Sequence, residues 1–159
     1  MHTLTVLPAT FMLLILMASP AQAEQFVYID EPWLRATIPG TSISAGFMTI
    51  INDGVVAEHL VAVQADFAAQ AELHTLSMLG EVMQMRPLSD GLVVPAGGSI
   101  TLAPGGDHIM FMGLKQPLMA GDTQTVVLKF AGTGRLVTQV LVRQPMLNPA
   151  TDTQEQGQH

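Results

Sequence analysis

Histidine and methionine are unevenly distributed along this chain. Of its 11 methionines and 5 histidines, His74, Met78, Met83, Met85, His108, Met110, Met112 and Met119 fall within one window of under fifty residues. A single methionine is usually a flexible filler of apolar cores, and each of these, taken alone, reads that way. Their pairing with imidazoles at strand spacing changes the reading. Residues two apart on a strand share a face, so His108 and Met110 point the same way. Met83 and Met85 do likewise if their segment is extended. Two neutral imidazoles with two thioethers make a soft, uncharged donor set. Soft sulfur donors favour Cu(I), whereas imidazole alone serves zinc, copper or nickel. Thioether is a poor ligand for zinc, and no acidic cluster accompanies these residues to suit calcium or magnesium.

The sequence has no cysteine. Thiolate is therefore absent as ligand or nucleophile, and in an oxidising compartment the fold must rest on its core without disulfides. A site of thioethers and imidazoles can hold Cu(I) there, yet less tightly than thiolates would, which suits delivery better than storage. An electron-transfer copper site of the blue type needs a cysteine ligand and is excluded. Thirteen Asp and Glu against six Lys and Arg argue against a nucleic-acid partner. No G-x-S-x-G elbow, Walker loop or pair of catalytic carboxylates is found, so the chain does not read as an enzyme. The competing reading is an exported β-sandwich structural or assembly module with a methionine-filled core and no metal transfer.

Positioning such donors falls to short strands. The 159 residues carry no internal repeat and suggest one domain. Phe11 to Met17 is an apolar run, broken by Ser19-Pro20 and followed by Ala21-Gln22-Ala23, the layout of a cleaved secretory signal over residues 1–23. Its n-region has only His2 and the amino terminus for positive charge. The run is shorter than the ~20 residues a membrane-spanning helix needs, so no membrane span is expected after cleavage. Residues 24–144 form the expected β domain. Runs such as Phe26–Ile29, Gly46–Ile51, Leu60–Val63, Leu92–Val94, Ser99–Leu102, His108–Met112, Thr125–Phe130 and Leu136–Val142 alternate with Gly- and Pro-rich turns. That pattern predicts an all-β sandwich or barrel. Asp66 to Glu72, rich in Ala and Gln, is expected to hold at most a turn or two of helix. Residues 145–159 are polar and read as a disordered tail.

At this level of detail the chain resembles the periplasmic copper chaperones of the PCuAC family, over about residues 26–131. The family's motif is a His, ten residues, a Met, a longer gap and then His-X-Met. Here His74 is followed after ten residues by Met85, and His108-Ile109-Met110 closes the pattern. Met83-Gln84-Met85-Arg86-Pro87, Val94-Pro95-Ala96-Gly97-Gly98 and Pro104–Leu114 match the family's surrounding text, as do Ala36–Gly40 and the Asn52 region. The resemblance implies a metal site of His74, Met85, His108 and Met110 that takes Cu(I). It also implies a cupredoxin-like Greek-key β-barrel or sandwich in the periplasm with the site at an exposed end. The role implied is delivery of Cu(I) to the dinuclear copper centre of a haem-copper respiratory oxidase. The partners implied are the copper-accepting oxidase subunit and a thioredoxin-like copper chaperone. Two departures stand out. Thr75 occupies a position after the first His where many members have Met. The gap of twenty-two residues before His108 is one longer than usual, and the loop Leu88–Gly91 is the natural place for the extra residue.

The remaining candidates take plainer readings. His59 is expected at the surface and His159 in the tail. Met78 and Met112 are expected to be packing residues, with Met112, on the face of Met110, as the reserve donor. Trp33 and Arg35 are expected to be structural.

Overall fold

The computed structural model describes residues 26–80 and 82–144. The expected signal segment and the expected polar tail lie outside these residues. Among the described residues ten strands follow one another: β1 (Val27–Arg35), β2 (Ile43–Asn52), β3 (Glu58–Gln64), β4 (Ala68–Leu79), β5 (Val82–Pro87), β6 (Leu92–Val94), β7 (Gly98–Leu102), β8 (His108–Leu114), β9 (Thr123–Phe130) and β10 (Arg135–Arg143). They hydrogen-bond in the order β5-β4-β8-β2-β1-β10-β9-β3-β6, with β7 added to β2. Neighbours run antiparallel except β1 and β10, which are parallel. The all-β expectation holds. Of its two forms the sandwich is found, because the terminal strands β5 and β6 do not join to close the path.

Period-two alternation builds the core. Val126, Leu128 and Phe130 of β9 and Leu136, Val140 and Val142 of β10 point inward while their neighbours face out. They join Leu34, Ile50, Leu60, Leu102, Ile109 and Phe111 in one apolar cluster. Burying each such side chain contributes about 1.5–3 kcal/mol, and without disulfides this cluster is what holds the sandwich. Asn52 is buried among it with its amide satisfied. Its Nδ2 donates to Val56 O (2.8 Å) and Val94 O (3.2 Å), and its Oδ1 accepts from Gly54 N (3.0 Å). A buried amide so fully bonded fixes a turn and leaves nothing for a ligand.

Two local features position the site. In β1 the register moves from Asp30↔Thr49 to Trp33↔Phe47, three steps on β1 against two on β2. This β-bulge contains Glu31 at φ 44° and Pro32, whose missing N–H is tolerated where the ladder is interrupted. After it, Leu34 takes the core face while Trp33 and Arg35 turn to the opposite one. The second feature is β4. The short helix expected within Asp66–Glu72 is absent: Asp66 and Phe67 make a turn, and Ala68 begins a strand paired to β8. A seven-residue stretch cannot sustain a helix in isolation. The ladder to β8 and the burial of Ala68 and Leu73 on the core side override its weak local preference.

Candidate metal centre

Strand pairing brings the four expected donors to one face. In the β4–β8 ladder His74 lies directly opposite His108, and Glu72 opposite Met110. In the β4–β5 hairpin Leu76 lies opposite Met85. Residues opposite or two apart share a face. Met85, His108, Met110, Leu76 and His74 therefore sit together, while Leu73, Ile109 and Phe111 fill the core from the other side. The two imidazole centroids are 6.0 Å apart. Met85, His108 and Met110 line a cleft of about 300 Å³, walled by Phe47, Ala45 and Ser44 of β2 and by Ile38, Thr41, Pro104 and Gly105 from two loops. His74 is not among the lining residues and joins the site through its pairing with His108.

Each imidazole is held so that one nitrogen stays bare. His108 is buried, and its Nδ1 donates to Gly106 O at 2.9 Å, leaving Nε2 with its lone pair. That carbonyl is set by the β7–β8 loop, closed by the bonds Gly106 N to Ala103 O and Ala103 N to Asp107 O. His74 donates from Nε2 to the Glu72 carboxylate at 3.1 Å, and its Nδ1 is buried without any hydrogen-bond partner. A buried, unsatisfied ring nitrogen costs free energy unless something occupies it. A carboxylate or carbonyl on the far nitrogen is the arrangement that orients a metal-ligating imidazole. Among the described residues no group of three or more His, Cys, Asp or Glu is arranged to hold a metal ion. A metal here would need sulfur donors, and Met85 and Met110 are the thioethers in the cleft.

The other methionines separate from these two. Met78 and Met83 pair with each other further out on the β4–β5 hairpin and are exposed, and Met119 is exposed in a loop. Met112 keeps the face of Met110, as its spacing required, but does not line the cleft. His59 is half-buried on β3 and stands outside the site. Sequence reasoning passed over two residues. Glu72 is signalled by its i, i+2 spacing to His74 on a strand. Arg35 lines the cleft, although the plainer reading made it structural. That role survives in part, because its Cζ lies 5.5 Å from the Phe47 ring centroid.

The family described as "Putative lipoprotein LpqE-like" matches residues 27–142, almost the whole of the described sandwich. The chain belongs to the LpqE-like family. A relative from Leifsonia xyli subsp. xyli, named "Putative lipoprotein Lxx21020", is 33% identical over 113 residues, 71% of this chain and 67% of its own. Among solved structures, copper(I)-bound DR1885 from Deinococcus radiodurans is 30% identical with a TM-score of 0.60, covering 79% of this chain and 83% of that one. The apo PCuAC domain from PmoF1 is 26% identical with a TM-score of 0.65, covering 76% and 96%. The copper-bound PCuAC domain from PmoF2, at 22% identity and TM-score 0.64 over 78% and 97%, shares the fold. This LpqE-like chain thus has the cupredoxin-like sandwich of PCuAC domains, as its motif led us to expect.

One expected outcome concerns Glu72. Replacing it by alanine removes the anchor on His74 Nε2 and frees the ring to turn. Cu(I) affinity is expected to fall about tenfold, in the range seen when such supporting partners are lost. Competition against a chromophoric Cu(I) chelator measures it, and an unchanged affinity would remove Glu72 from the site.

Proposed function

We propose that this LpqE-like chain is an exported, periplasmic Cu(I) metallochaperone, a carrier and not an enzyme. Its site is His74 Nδ1, Met85 Sδ, His108 Nε2 and Met110 Sδ, and its cargo goes to the dinuclear copper centre of a haem-copper oxidase. The observation that carries the reading is the orphaned, buried Nδ1 of His74, set across the ladder from a His108 whose Nε2 is left bare. The donor set is neutral and soft, which suits Cu(I). The same absence of thiolate makes transfer to a dithiol acceptor run downhill. Copper leaves by exchange of donors at the cleft, without refolding of the sandwich, because the ligands sit on paired strands beside two loops. The copper-accepting oxidase subunit and a thioredoxin-like chaperone are the partners of this reading. The likeness to copper-bound DR1885 and to PCuAC domains supports it.

The test is Cu(I) titration of the purified protein, followed by mixing with a dithiol acceptor domain and backbone NMR of the apo and loaded forms. One equivalent bound, transfer to the acceptor, and shifts confined to residues 72–85 and 104–113 are expected. Shifts spread through β10, or copper retained against the acceptor, would count against it. Equilibrium dialysis under reducing conditions is expected to show Cu(I) held at least ~100-fold more tightly than Zn(II), since half the donors are thioethers. Equal retention of the two metals would defeat the soft-site argument.

A further inference from the structure

The cleft holds more than a metal ion requires. One water needs roughly 10–15 Å³ of such space, and the cleft offers about 300 Å³ beside the donors. Its walls are apolar at Ile38, Ala45 and Phe47, with one cation among them, Arg35. The Nε of Arg35 is buried and has no hydrogen-bond partner. Among the described residues no carboxylate lies within salt-bridge distance of Arg35. Its guanidinium rests over Phe47 at 5.5 Å, and the Phe47 ring is 6.4 Å from that of His108. A cation kept next to a site for a monovalent cation opposes the metal. Such a placement makes sense if an anion enters with the metal or after it.

We propose that Arg35 forms an anion-receiving subsite beside the copper donors, and that the group it takes is a cysteine thiolate of the copper acceptor. Thiolate alone matches all three features: it is soft for Cu(I), anionic for Arg35 and polarisable against apolar walls. This rests on the copper reading above. The thiol releases its proton to solvent, its sulfur bonds to Cu(I), and one thioether or imidazole donor departs. Copper remains Cu(I) throughout, and no electron is transferred. Arg35 acts as a positioning residue for the incoming thiolate and is not itself a ligand.

The experiment has two arms, run on wild type, Arg35→Gln and Arg35→Lys, each checked for folding by thermal melting. In the first, Cu(I)-loaded protein is mixed with 2-mercaptoethanesulfonate or with neutral imidazole, and copper loss is followed by stopped flow. Arg35→Gln is expected to slow withdrawal by the thiol about tenfold at low ionic strength, an effect of electrostatic steering. Withdrawal by imidazole is expected to stay unchanged, and Arg35→Lys to recover most of the thiol rate. Equal slowing for both probes, or none, would overturn the proposal. In the second arm, metal-free protein is titrated with thiocyanate and the Arg35 Nε–H resonance is followed. A saturable shift larger than that given by chloride is expected. No shift overturns the subsite even where copper binds. A shift in a protein that fails to bind Cu(I) leaves the subsite standing and removes the copper reading instead.

Discussion

Replacing His108 by alanine is expected to lower Cu(I) affinity by more than ~100-fold, beyond the loss typical of an outer supporting partner. Several observations converge on this side chain. It is 4% exposed, lies on the interior strand β8, and its Nδ1 is committed to Gly106 O, so Nε2 has no competing protein partner. Burial of a neutral imidazole with a bare nitrogen is offset only when that nitrogen is used. Met85→Ala and Met110→Ala are expected to follow with smaller losses, since thioethers are weaker donors and Met85 is half exposed on the terminal strand β5. Met78→Ala is the control, because Met78 is exposed further out on the hairpin and does not line the cleft. Chelator competition across the four variants reads the order directly. Loss of similar size in Met78→Ala would refute the assignment of these donors.

Phe111→Ala is expected to destabilise the sandwich by about 3–5 kcal/mol, the usual effect of emptying a large aromatic site in a core. Domains of this kind are stable by only ~5–15 kcal/mol. Phe111 is fully buried on β8, packs against Phe67 with centroids 5.0 Å apart, and lies under Gly46, where a Cβ would meet its ring at 2.8 Å. Little slack surrounds it, so a cavity is expected to persist. A fall in melting temperature on the order of 10–20 °C follows from the usual size scaling. Because Phe111 faces away from the cleft, excess Cu(I) is expected to raise the variant's melting temperature by mass action. A melting curve within ~2 °C of wild type would show that β8 is not held from this side.

That the four candidate donors share a face was legible because it depends on period and spacing, and both survive folding. His108-X-Met110 shares a face on any strand, and the β4–β5 hairpin places Met85 beside Leu76 without long-range information. The strand at Ala68–Glu72 was not legible. Its Ala and Gln carry little β preference, and the partner that makes it extended, β8, is some forty residues away in sequence. Arg35 escaped for a different reason. Nothing in Trp33-Leu34-Arg35 announces which of its residues faces the cleft until the phase of β1 is known, and one bulge sets that phase. The bare nitrogens of the two imidazoles depend on a turn carbonyl and on a carboxylate two residues along the same strand, which meet the rings only once the chain is folded.

The bulge at Asp30–Trp33 also makes chain length unequal in meaning along this molecule. Between Pro87 and Leu92 an added residue has a turn to dissolve into, so the longer spacing before His108 is a change of circumference and not of phase. Within Asp30–Trp33 a single deletion would restore simple alternation to β1. Asp30 would stay opposite Thr49 and Trp33 opposite Phe47, so both sides of the cut would keep their faces. One residue lost from Trp33–Arg35 instead would put every later residue of the strand on the wrong face. In alignments of relatives, gaps are therefore expected in the turn and at the bulge and excluded from Trp33–Arg35, even though none of the three contains a metal donor.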